Sequence, residues 1–239
     1  MRLLCFLHDM KYLQLQPRLQ LLAELIPQGS CLCDVGTDHG YVPVYLLQRG
    51  LIERAIASDI GAEPLQHAIN TARDYAVEGI DFRLCPGLDK IAPEETDTVL
   101  IAGMGGETII TILENAPWTK RGEHLLLLQP MTKVELLRKW LADNGYTFTA
   151  ERLVFDKDHL YPIMLVRGGE QEPLCEAAQY GGVLLDGDPL YGAYLDERIK
   201  KLTLAIEGLQ RAKDGSQKET AAALQKICEE LKERRRRTL

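Results

Sequence analysis

The sequence predicts an α/β protein: a doubly wound, mostly parallel β-sheet with an antiparallel edge hairpin, followed by a C-terminal α-helical hairpin. Two observations predict this class. Between residues 30 and 168, short apolar runs rich in Leu, Ile and Val alternate with segments of helical periodicity, as in parallel strands covered by helices on both faces. From residue 189 onward the periodicity is purely helical, which predicts a separate helical unit.

Seven apolar runs are the predicted strands. Five of them lie between helical segments and are assigned to the parallel part of the sheet. The other two are separated by only a short turn, so we expect an antiparallel hairpin at the edge of the sheet. The parallel strands are predicted at 31–35, 54–60, 81–85, 98–103 and 124–130, and the hairpin strands at 147–156 and 160–168.

Helical spacing of apolar residues predicts one helix before the first strand and one after each of four parallel strands. These helices are predicted at 15–27, 41–50, 62–77, 106–116 and 133–145, and a turn-rich stretch follows at 168–182. Beyond it, two amphipathic segments on either side of a polar break at 213–219 predict an antiparallel, coiled-coil-like helical hairpin. The predicted domains are therefore 13–168 and 169–239.

Composition narrows the class of protein. The chain has 239 residues and is 46% hydrophobic, which is sufficient for a sizeable core. No run of 18 or more uncharged apolar residues occurs, so no membrane span is expected. Residues 1–10 read as a leader to the first helix and not as a signal peptide. The six cysteines lack zinc-ligand spacing, which predicts free thiols, no metal site and a cytoplasmic protein.

Charge is unevenly distributed along the chain. The net charge is −7, yet residues 190–239 carry 12 Lys or Arg and 8 Asp or Glu, an excess of four positive charges. Residues 1–189 carry 16 and 27, an excess of eleven negative charges. The chain ends "KERRRRTL", which predicts either a contact with a polyanion or a solvated, charged helix end.

The turn after the first strand is the most informative motif. Asp34 ends the strand, and Gly36 and Gly40 flank the turn into the next helix. A pyrophosphate-binding turn has the spacing G-x-G-x-x-G and few acids, whereas this turn contains two carboxylates. Carboxylates repel a pyrophosphate and attract an ammonium or sulfonium group, so the turn favours S-adenosylmethionine over a dinucleotide. The alternative is a simple helix cap provided by Asp38.

The ends of the other parallel strands carry further candidates. Asp59 ends the second strand, where an acid accepts hydrogen bonds from the ribose of an adenosine ligand; the alternative is an exposed strand-end Asp. Leu84 and Cys85 lie at the end of the third strand, beside the expected adenine. Glycines at 103, 105 and 106 predict close approach of a ligand to the fourth strand. The Gln129 amide is placed to read a base, or is simply a polar strand terminus.

Five motifs together resemble one family. "DVGTDHGYVP", "SDI", "IAGMGGETI", "LLLLQP" and "LRKWLADNGY" are similar to motifs of the bacterial tRNA adenine-N1 methyltransferases that act on adenosine at tRNA position 22. The resemblance extends from about residue 17 to the C-terminus. It implies a Rossmann-like class I methyltransferase sheet, with 13–168 binding S-adenosylmethionine and 169–239 contacting tRNA. We expect a monomer and no metal ion, although the sequence leaves open whether one chain or two holds the tRNA.

The resemblance assigns site residues as well. One departure concerns the loop after the third strand, where the family usually has Gly-Asp-Gly or Gly-Asn-Gly, because Pro86 offers no polar group to adenine. Residues around the reaction are Asp34, His39, Tyr41, Met104, Gly105 and Gln129. Residues implied to bind the cofactor are Asp34, Gly36, Thr37, Asp38, His39, Gly40, Asp59, Ile60, Cys85, Pro86, Gly87, Ala102, Gly103 and Met104.

The expected reaction needs positioning more than acid–base chemistry. N1 of neutral adenine carries a lone pair, so no base has to remove a proton before methyl transfer. His39 and Tyr41 are placed to stack on an extruded base, and the basic hairpin to contact tRNA phosphates. Three alternatives stay open: a small-molecule or protein methyltransferase, an NAD-linked dehydrogenase, which the acidic turn disfavours, and a non-catalytic RNA-binding module that retains the cofactor fold.

Overall fold

The computed structural model describes residues 12–211 and 217–238. The predicted leader, Cys5 and most of the predicted polar break lie outside these residues. The seven strands are β1 (Cys31–Val35), β2 (Arg54–Asp59), β3 (Ile80–Leu84), β4 (Thr98–Gly105), β5 (Leu125–Thr132), β6 (Tyr146–Asp156) and β7 (His159–Gly168). The helices are α1 (Pro17–Leu25), α2 (Tyr41–Gln48), α3 (Ala62–Asp74), α4 (Gly106–Glu114), α5 (Val134–Asp143), α6 (Glu176–Gly181), α7 (Tyr191–Gln210) and α8 (Lys218–Arg237).

The strands form one seven-stranded sheet in the order β3-β2-β1-β4-β5-β7-β6. Neighbours among β1 to β5 are parallel, whereas β7 is antiparallel to both β5 and β6. The predicted parallel sheet and its antiparallel edge hairpin are therefore confirmed. The strand order reverses between β1 and β4, and open α/β sheets bind ligands outside the carboxyl ends of the strands at such a point.

Both faces of the sheet are covered, as the continuous apolar strands require. Successive side chains of a strand point to opposite faces, so Leu100 belongs to a core with α1 and α2. Its neighbour Ile101 belongs to a second core with α4 and α5. Among the described residues, no helix combines the length and apolar character needed to cross a membrane.

The C-terminal helices pack on the β6–β7 edge. A third apolar cluster joins Leu153 and Leu160 of the edge strands to Tyr194 and Leu195 of α7 and to Leu231 of α8. The predicted helical hairpin is confirmed. Within the stretch 168–182, predicted to be rich in turns, the short helix α6 was not predicted; it buries Ala177 and Ala178.

Candidate active site

The turn from β1 into α2 is held open by two glycines in the left-handed conformation, Gly36 (φ 70°) and Gly40 (φ 65°). The amides of Gly36 and Thr37 both donate to the Ser58 carbonyl oxygen, at 2.8 and 3.0 Å, which ties the turn to β2. A Cβ on Gly36 would lie 2.0 Å from the terminal methyl carbon of Met104. Glycine is therefore required at Gly36 both by the backbone conformation and by the side chain packed against it.

Asp34 lies at the base of this turn and is buried. Its Oδ2 accepts a hydrogen bond from the Thr37 hydroxyl at 2.6 Å. Burial raises the pKa of the Asp34 carboxyl to about 6; the Thr37 hydrogen bond opposes this shift and the charge of Asp59 adds to it. A buried carboxyl group with a raised pKa in a cleft is typical of a ligand-binding site, and a cationic ligand would favour its ionised form.

Asp38 does not cap α2. The cap position is Gly40, without a side-chain hydrogen bond, so the alternative of a simple Asp38 cap was wrong. Asp38 itself adopts a positive φ of 46° and extends an exposed carboxylate. Its two oxygens lie 3.7 Å from His39 Nε2 and 3.8 Å from His67 Nδ1. The turn thus places one carboxylate between two imidazoles.

Three rings stack beside this carboxylate. His39 lies 5.0 Å from Tyr41 and 5.0 Å from His67 between ring centroids, with interplanar angles of 12° and 10°. Ligand atoms of Asp38, His39 and His67 lie within 4.8 Å of one another. Because imidazole lone pairs lie in the ring plane, parallel stacked rings direct them poorly to one shared metal ion. We therefore interpret the group as a stacking platform, and Tyr41, 37% exposed, is its outer face.

Asp59 stands at the end of β2, next to this turn. Its Oδ1 accepts the Gly61 amide at 2.8 Å, and its Oδ2 lies 3.4 Å from the Asp38 amide nitrogen. The neighbouring Ile60 side chain is 75% exposed, which is unusual for an isoleucine. Backbone amides thus orient the Asp59 carboxylate, and the exposed Ile60 side chain lies next to it. This combination suits a nucleoside, whose ribose offers hydroxyl groups and whose base offers an apolar face.

The loop after β3 is only partly available to a ligand. The Cys85 amide donates to the Asp59 carbonyl oxygen at 3.0 Å, and the Cys85 side chain is buried. Leu84 is 47% exposed, and Pro86 is exposed. Gly87 adopts a positive φ of 48°. An adenine here would meet apolar surface and backbone, and not the Cys85 side chain.

The end of β4 depends on Gln129 for its shape. Gln129 is completely buried, and its Oε1 accepts the Gly103 amide at 3.2 Å, where Gly103 has a φ of 78°. Its Nε2 donates to the Pro130 carbonyl oxygen at 3.1 Å. Because both ends of the amide are engaged, the prediction that Gln129 reads a base was wrong for this conformation. Gln129 instead supports the Gly103 turn.

A cleft of about 690 Å³ opens at this edge of the sheet. It brings together most of the predicted residues of the first turn with Ala102 and Gly103 of β4. Asp59, Ile60 and the loop after β3 lie outside its lining, as do Gly40, Met104, Gly105 and Gln129. The predicted residues in the lining are Asp34, Gly36, Thr37, Asp38, His39, Tyr41, Ala102 and Gly103.

Among the residues of this region that sequence reasoning missed, three have cationic or imidazole side chains. Arg18 of α1 and Lys157 of the β6–β7 turn line the cleft, and His67 of α3 completes the ring stack. These residues are distant in sequence from the motifs. Only the tertiary fold brings helix α1 and the edge hairpin to the cleft, so the motifs could not predict them. A larger cavity of about 940 Å³ lies between α6, α7 and α8, away from the glycine turns and the carboxyl edge of the sheet.

Known proteins resemble this chain over most of its length, and not only at the cleft. Residues 15–164 match a family model described as a methyltransferase domain. The tRNA (adenine(22)-N(1))-methyltransferase of Bacillus subtilis is 31% identical over 207 residues, which cover 84% of this chain and 85% of that protein.

Solved structures agree with this comparison. The crystal structure of the B. subtilis M1A22 tRNA methyltransferase TrmK is 28% identical, covers 92% of this chain and 98% of its own, and has a TM-score of 0.83. M. capricolum TrmK in complex with S-adenosyl-homocysteine is 27% identical, covers 92% and 97%, and has a TM-score of 0.77. The similarity thus includes the C-terminal helices as well as the sheet.

Proposed function

Because the chain belongs to the family of bacterial tRNA (adenine(22)-N1)-methyltransferases, we propose that it transfers the methyl group of S-adenosylmethionine to N1 of an adenosine in tRNA. One observation of the structure carries this proposal furthest. Asp34 and Asp59 lie at the carboxyl ends of the neighbouring parallel strands β1 and β2, beside the turn that contains Gly36 and Gly40. Tyr41, the outer ring of the stack with His39, lines the cleft together with Asp34.

The residues present fit the proposed methyl donor. Its methionyl end carries an ammonium group and its sulfur is cationic, and the turn between Asp34 and Gly40 offers two carboxylates to these charges. Asp59, with one oxygen held by the Gly61 amide, is oriented to accept the ribose hydroxyls. Ile60 and Leu84 offer apolar surface to the adenine ring.

The loop after β3 marks how this chain departs from the family pattern. Pro86 replaces the polar residue that usually holds the adenine, and Cys85 is buried. Adenine recognition then rests on the exposed Ile60 and Leu84 side chains and on backbone groups of the loop. We expect the adenine of S-adenosylmethionine to be bound by apolar contacts more than by hydrogen bonds.

When bound, S-adenosylmethionine supplies an electrophilic methyl group. The chain's own contribution is to hold the acceptor so that N1 approaches that carbon in line, which replaces a bimolecular encounter by a positioned one. Because the attacking nitrogen is unprotonated, no residue has to act as a general base. The reaction places positive charge on the base, and an ionised Asp34 or Asp38 would stabilise it.

The ring stack suggests how the acceptor base is held. An adenine paired within tRNA must be extruded at a cost of a few kcal/mol, and stacking on an aromatic ring returns about 1–3 kcal/mol. Tyr41 lies in the cleft lining, and His39 and His67 support it from behind. We propose that the extruded base extends this stack from the Tyr41 face, with Gly103, Met104 and Gly105 shaping the other side.

The four arginines at the end of α8 fall into two pairs, one with partners in the fold and one exposed. Arg234 donates to the Gly182 carbonyl oxygen at 3.1 Å, and Arg235 Nε lies 3.0 Å from both carboxylate oxygens of Asp196. These two side chains hold the hairpin to its base. Arg236 and Arg237 are exposed, so we propose that they, and not all four arginines, contact the tRNA phosphates.

We propose a corresponding division between the two predicted domains. Residues 13–168 would bind the donor and carry out transfer, and residues 169–239 would hold the tRNA. We further propose that a single chain is sufficient, and that it acts in the cytoplasm, where tRNA is found.

A methyl-transfer assay tests the proposal. Purified protein is incubated with tritiated S-adenosylmethionine and an in-vitro transcribed tRNA carrying adenosine at position 22, and the product nucleosides are separated. We expect label in N1-methyladenosine, and none with an otherwise identical tRNA that carries guanosine at that position. Label in a protein or a small molecule would favour another methyltransferase class, and tRNA binding without transfer would favour a non-catalytic module.

Thermal unfolding separates the donor from a nicotinamide dinucleotide. S-adenosylmethionine is expected to raise the unfolding midpoint because it binds the folded state only, whereas NAD is expected to leave it unchanged. A shift with NAD alone would support the dehydrogenase alternative and contradict the proposal.

A further inference from the structure

Two exposed lysines follow strands that end at the carboxyl edge of the sheet. Lys133 comes directly after β5. Because β7 is antiparallel to both β5 and β6, strand β6 runs in the same direction as β5 and ends at the same edge. Lys157 begins the turn that follows β6. Both lysines therefore lie on the half of this edge beyond β4, away from the ends of β1 and β2 where the donor is proposed to bind.

Both lysines adopt a left-handed backbone conformation, which residues other than glycine rarely do. Lys133 has a φ of 54° and Lys157 a φ of 47°. Among the described residues, five non-glycine residues have a positive φ, and four of them lie at this edge: the two lysines, Asp38 and Asp158. Strained backbone of this kind clusters at functional sites, where it directs a side chain. The conformation of the two lysines therefore indicates a role at this edge.

Neither ammonium group is used inside the fold. In the part of the chain that the structure describes, no hydrogen bond or ion pair involves either one, and both residues are exposed. The other three lysines between residues 12 and 168 each contact a carbonyl oxygen, an aromatic ring or a carboxylate of the protein: Lys90, Lys120 and Lys139. Lys133 and Lys157 thus retain their charges for a partner outside the fold.

The two lysines adjoin the place where the acceptor base is expected. Lys157 lines the cleft. A Cβ on Gly106 would lie 2.5 Å from the Lys133 carbonyl oxygen, so Lys133 packs against the glycine turn that ends β4. Only β7 separates β5 from β6, so the two lysines follow strands about 10 Å apart. One RNA strand that delivers a base to the β4 turn can therefore contact both.

Carboxylates at the same edge make such cations necessary. Five of them end strands or begin the elements that follow: Asp34, Asp38, Asp59, Glu107 and Asp158. A phosphate backbone that brings a base to the cleft is repelled by these charges. Unpaired ammonium groups at this edge offset the repulsion, because lysines that neutralise phosphates release the counterions of the nucleic acid.

We propose that Lys133 and Lys157 bind the two phosphates that flank the target nucleotide, so that the sheet edge holds the RNA backbone while the base enters the cleft. This inference rests on the tRNA substrate proposed above. It adds a contact between the catalytic domain and the backbone, distinct from the contact proposed for Arg236 and Arg237. Holding both flanking phosphates favours the extruded state of the base over the paired one.

The salt dependence of tRNA binding tests the charge contact. Lys133→Gln/Lys157→Gln removes both charges, whereas Lys133→Arg/Lys157→Arg keeps them. We expect the glutamine variant to bind tRNA more weakly and to reduce the slope of log affinity against log salt by about 1–2. Its loss of affinity should shrink by about tenfold between about 50 and about 200 mM salt. The arginine variant should keep most of the wild-type slope.

A modified tRNA tests which phosphates are bound. Neutral methylphosphonate linkages replace the phosphates on both sides of the nucleotide at position 22. The wild type should bind this tRNA more weakly than the unmodified one, and the glutamine variant should bind the two equally, because contacting groups are not additive. Losses that add independently would show that the lysines contact other phosphates. Equal affinity of the wild type for both tRNAs would also overturn the inference, and this comparison needs no variant.

A matched control is Lys139→Gln, because Lys139 is 55% exposed on α5 and lies outside the cleft lining. It should bind tRNA with the wild-type slope, and a reduction as large as that of Lys133→Gln or Lys157→Gln would contradict the proposal. A fall in affinity for S-adenosylhomocysteine without a change in tRNA affinity would assign the lysines to the donor and overturn it. If the wild type methylates tRNA and the lysine variants bind it normally, only this inference fails. If the wild type neither binds nor methylates tRNA, the proposed function fails as well.

Discussion

The guanidinium of Arg138 donates from Nε to Oε1 of Glu151 at 2.8 Å, and both side chains are completely buried. Nη1 of Arg138 donates to the Gln179 carbonyl oxygen at 2.9 Å, and Oε2 of Glu151 accepts the Val183 and Leu184 amides at 2.5 and 2.9 Å. This ion pair therefore joins α5 and β6 to the segment that begins the C-terminal helices.

Replacing Glu151 by Ala should destabilise the protein strongly. The change leaves the Arg138 charge buried without its anion and removes the acceptor of two backbone amides, so we expect a loss of about 3–5 kcal/mol in unfolding free energy. Urea denaturation measures it. The control is Asp143→Asn, which breaks the exposed Lys139–Asp143 pair on α5 and should cost about 0.5 kcal/mol or less. Similar losses of unfolding free energy in both variants would show that the buried Arg138–Glu151 pair does not stabilise the contact between the sheet and the C-terminal helices.

Gly36→Ala should impair binding of the methyl donor more than it impairs folding. A comparison with Gly50→Ala isolates the local cause, because Gly50 has a similar φ of 64° but open space around its Cβ position. Both variants should lose about 1–2 kcal/mol of stability from the left-handed backbone. Only Gly36→Ala displaces Met104 and narrows the turn, so only it should weaken S-adenosylhomocysteine binding in calorimetry. Unchanged affinity in Gly36→Ala would remove the turn from the binding site.

The pKa of Asp34 predicts a pH-dependent affinity. The folded-state pKa is raised to about 6 from an ordinary 3.8, so the carboxyl group favours folding below its ordinary pKa, and this contribution is lost as the pH rises through 6. The ammonium group of the ligand needs the ionised form as its partner. Affinity for S-adenosylhomocysteine should therefore rise about tenfold from about pH 5 to about pH 7.

Asp34→Asn is the control for this titration. It cannot ionise, so its affinity should be lower and nearly independent of pH, and its stability should not fall as the pH rises through 6. Calorimetry and urea denaturation across the pH range measure both. A wild-type affinity that does not change with pH would mean that Asp34 does not face the ligand's charge.

Ile60→Ala should lower the affinity for S-adenosylhomocysteine with little effect on stability. The Ile60 side chain is 75% exposed, so its removal creates no cavity, but it would take apolar surface from the proposed adenine contact. Leu204→Ala is the matched control, since Leu204 is 60% exposed on α7. Equal affinity of the two variants and the wild type would place the adenine elsewhere.

Arg236 and Arg237 should contribute to tRNA binding without contributing to folding. The double replacement by alanine is expected to weaken binding and to reduce the slope of log affinity against log salt by about 1–2, because each phosphate that an arginine no longer neutralises keeps its counterion. Arg234→Ala should instead lower the thermal unfolding midpoint, because Arg234 contacts the Gly182 carbonyl oxygen. An unchanged salt slope in the double variant would argue against phosphate binding at this end of α8.

Most of the sheet could be predicted from sequence because its causes are local. Continuous apolar runs, glycines at strand ends and one short turn at 157–158 set the strands, the ligand-binding edge and the edge hairpin. The helix α6 was missed because its six residues lie among Gly and Pro. So short a segment is stabilised by packing against its neighbours α5, α7 and α8.

The side-chain geometry of the site was less predictable. Arg18 and His67 are distant in sequence from the motifs, and only the fold brings them to the β1–α2 turn. Gln129 was predicted at the ligand-binding edge from its place in the motif, but its burial and its bond to Gly103 decide its role. Likewise, the four adjacent arginines of α8 are alike in sequence, and only their partners in the fold distinguish them.

The antiparallel course of α7 and α8 gives the hairpin an anchored end and a projecting end. Bonds from Arg138 to Tyr194, from Arg235 to Asp196 and from Arg234 to Gly182 all lie at one end of the helix pair. With 20 residues each and a rise of about 1.5 Å per residue, the helices are each about 30 Å long, and most of that length lies beyond these contacts. Deleting whole helical turns from both helices together, at the end away from these contacts, should therefore shorten the hairpin while the contacts that attach it are kept.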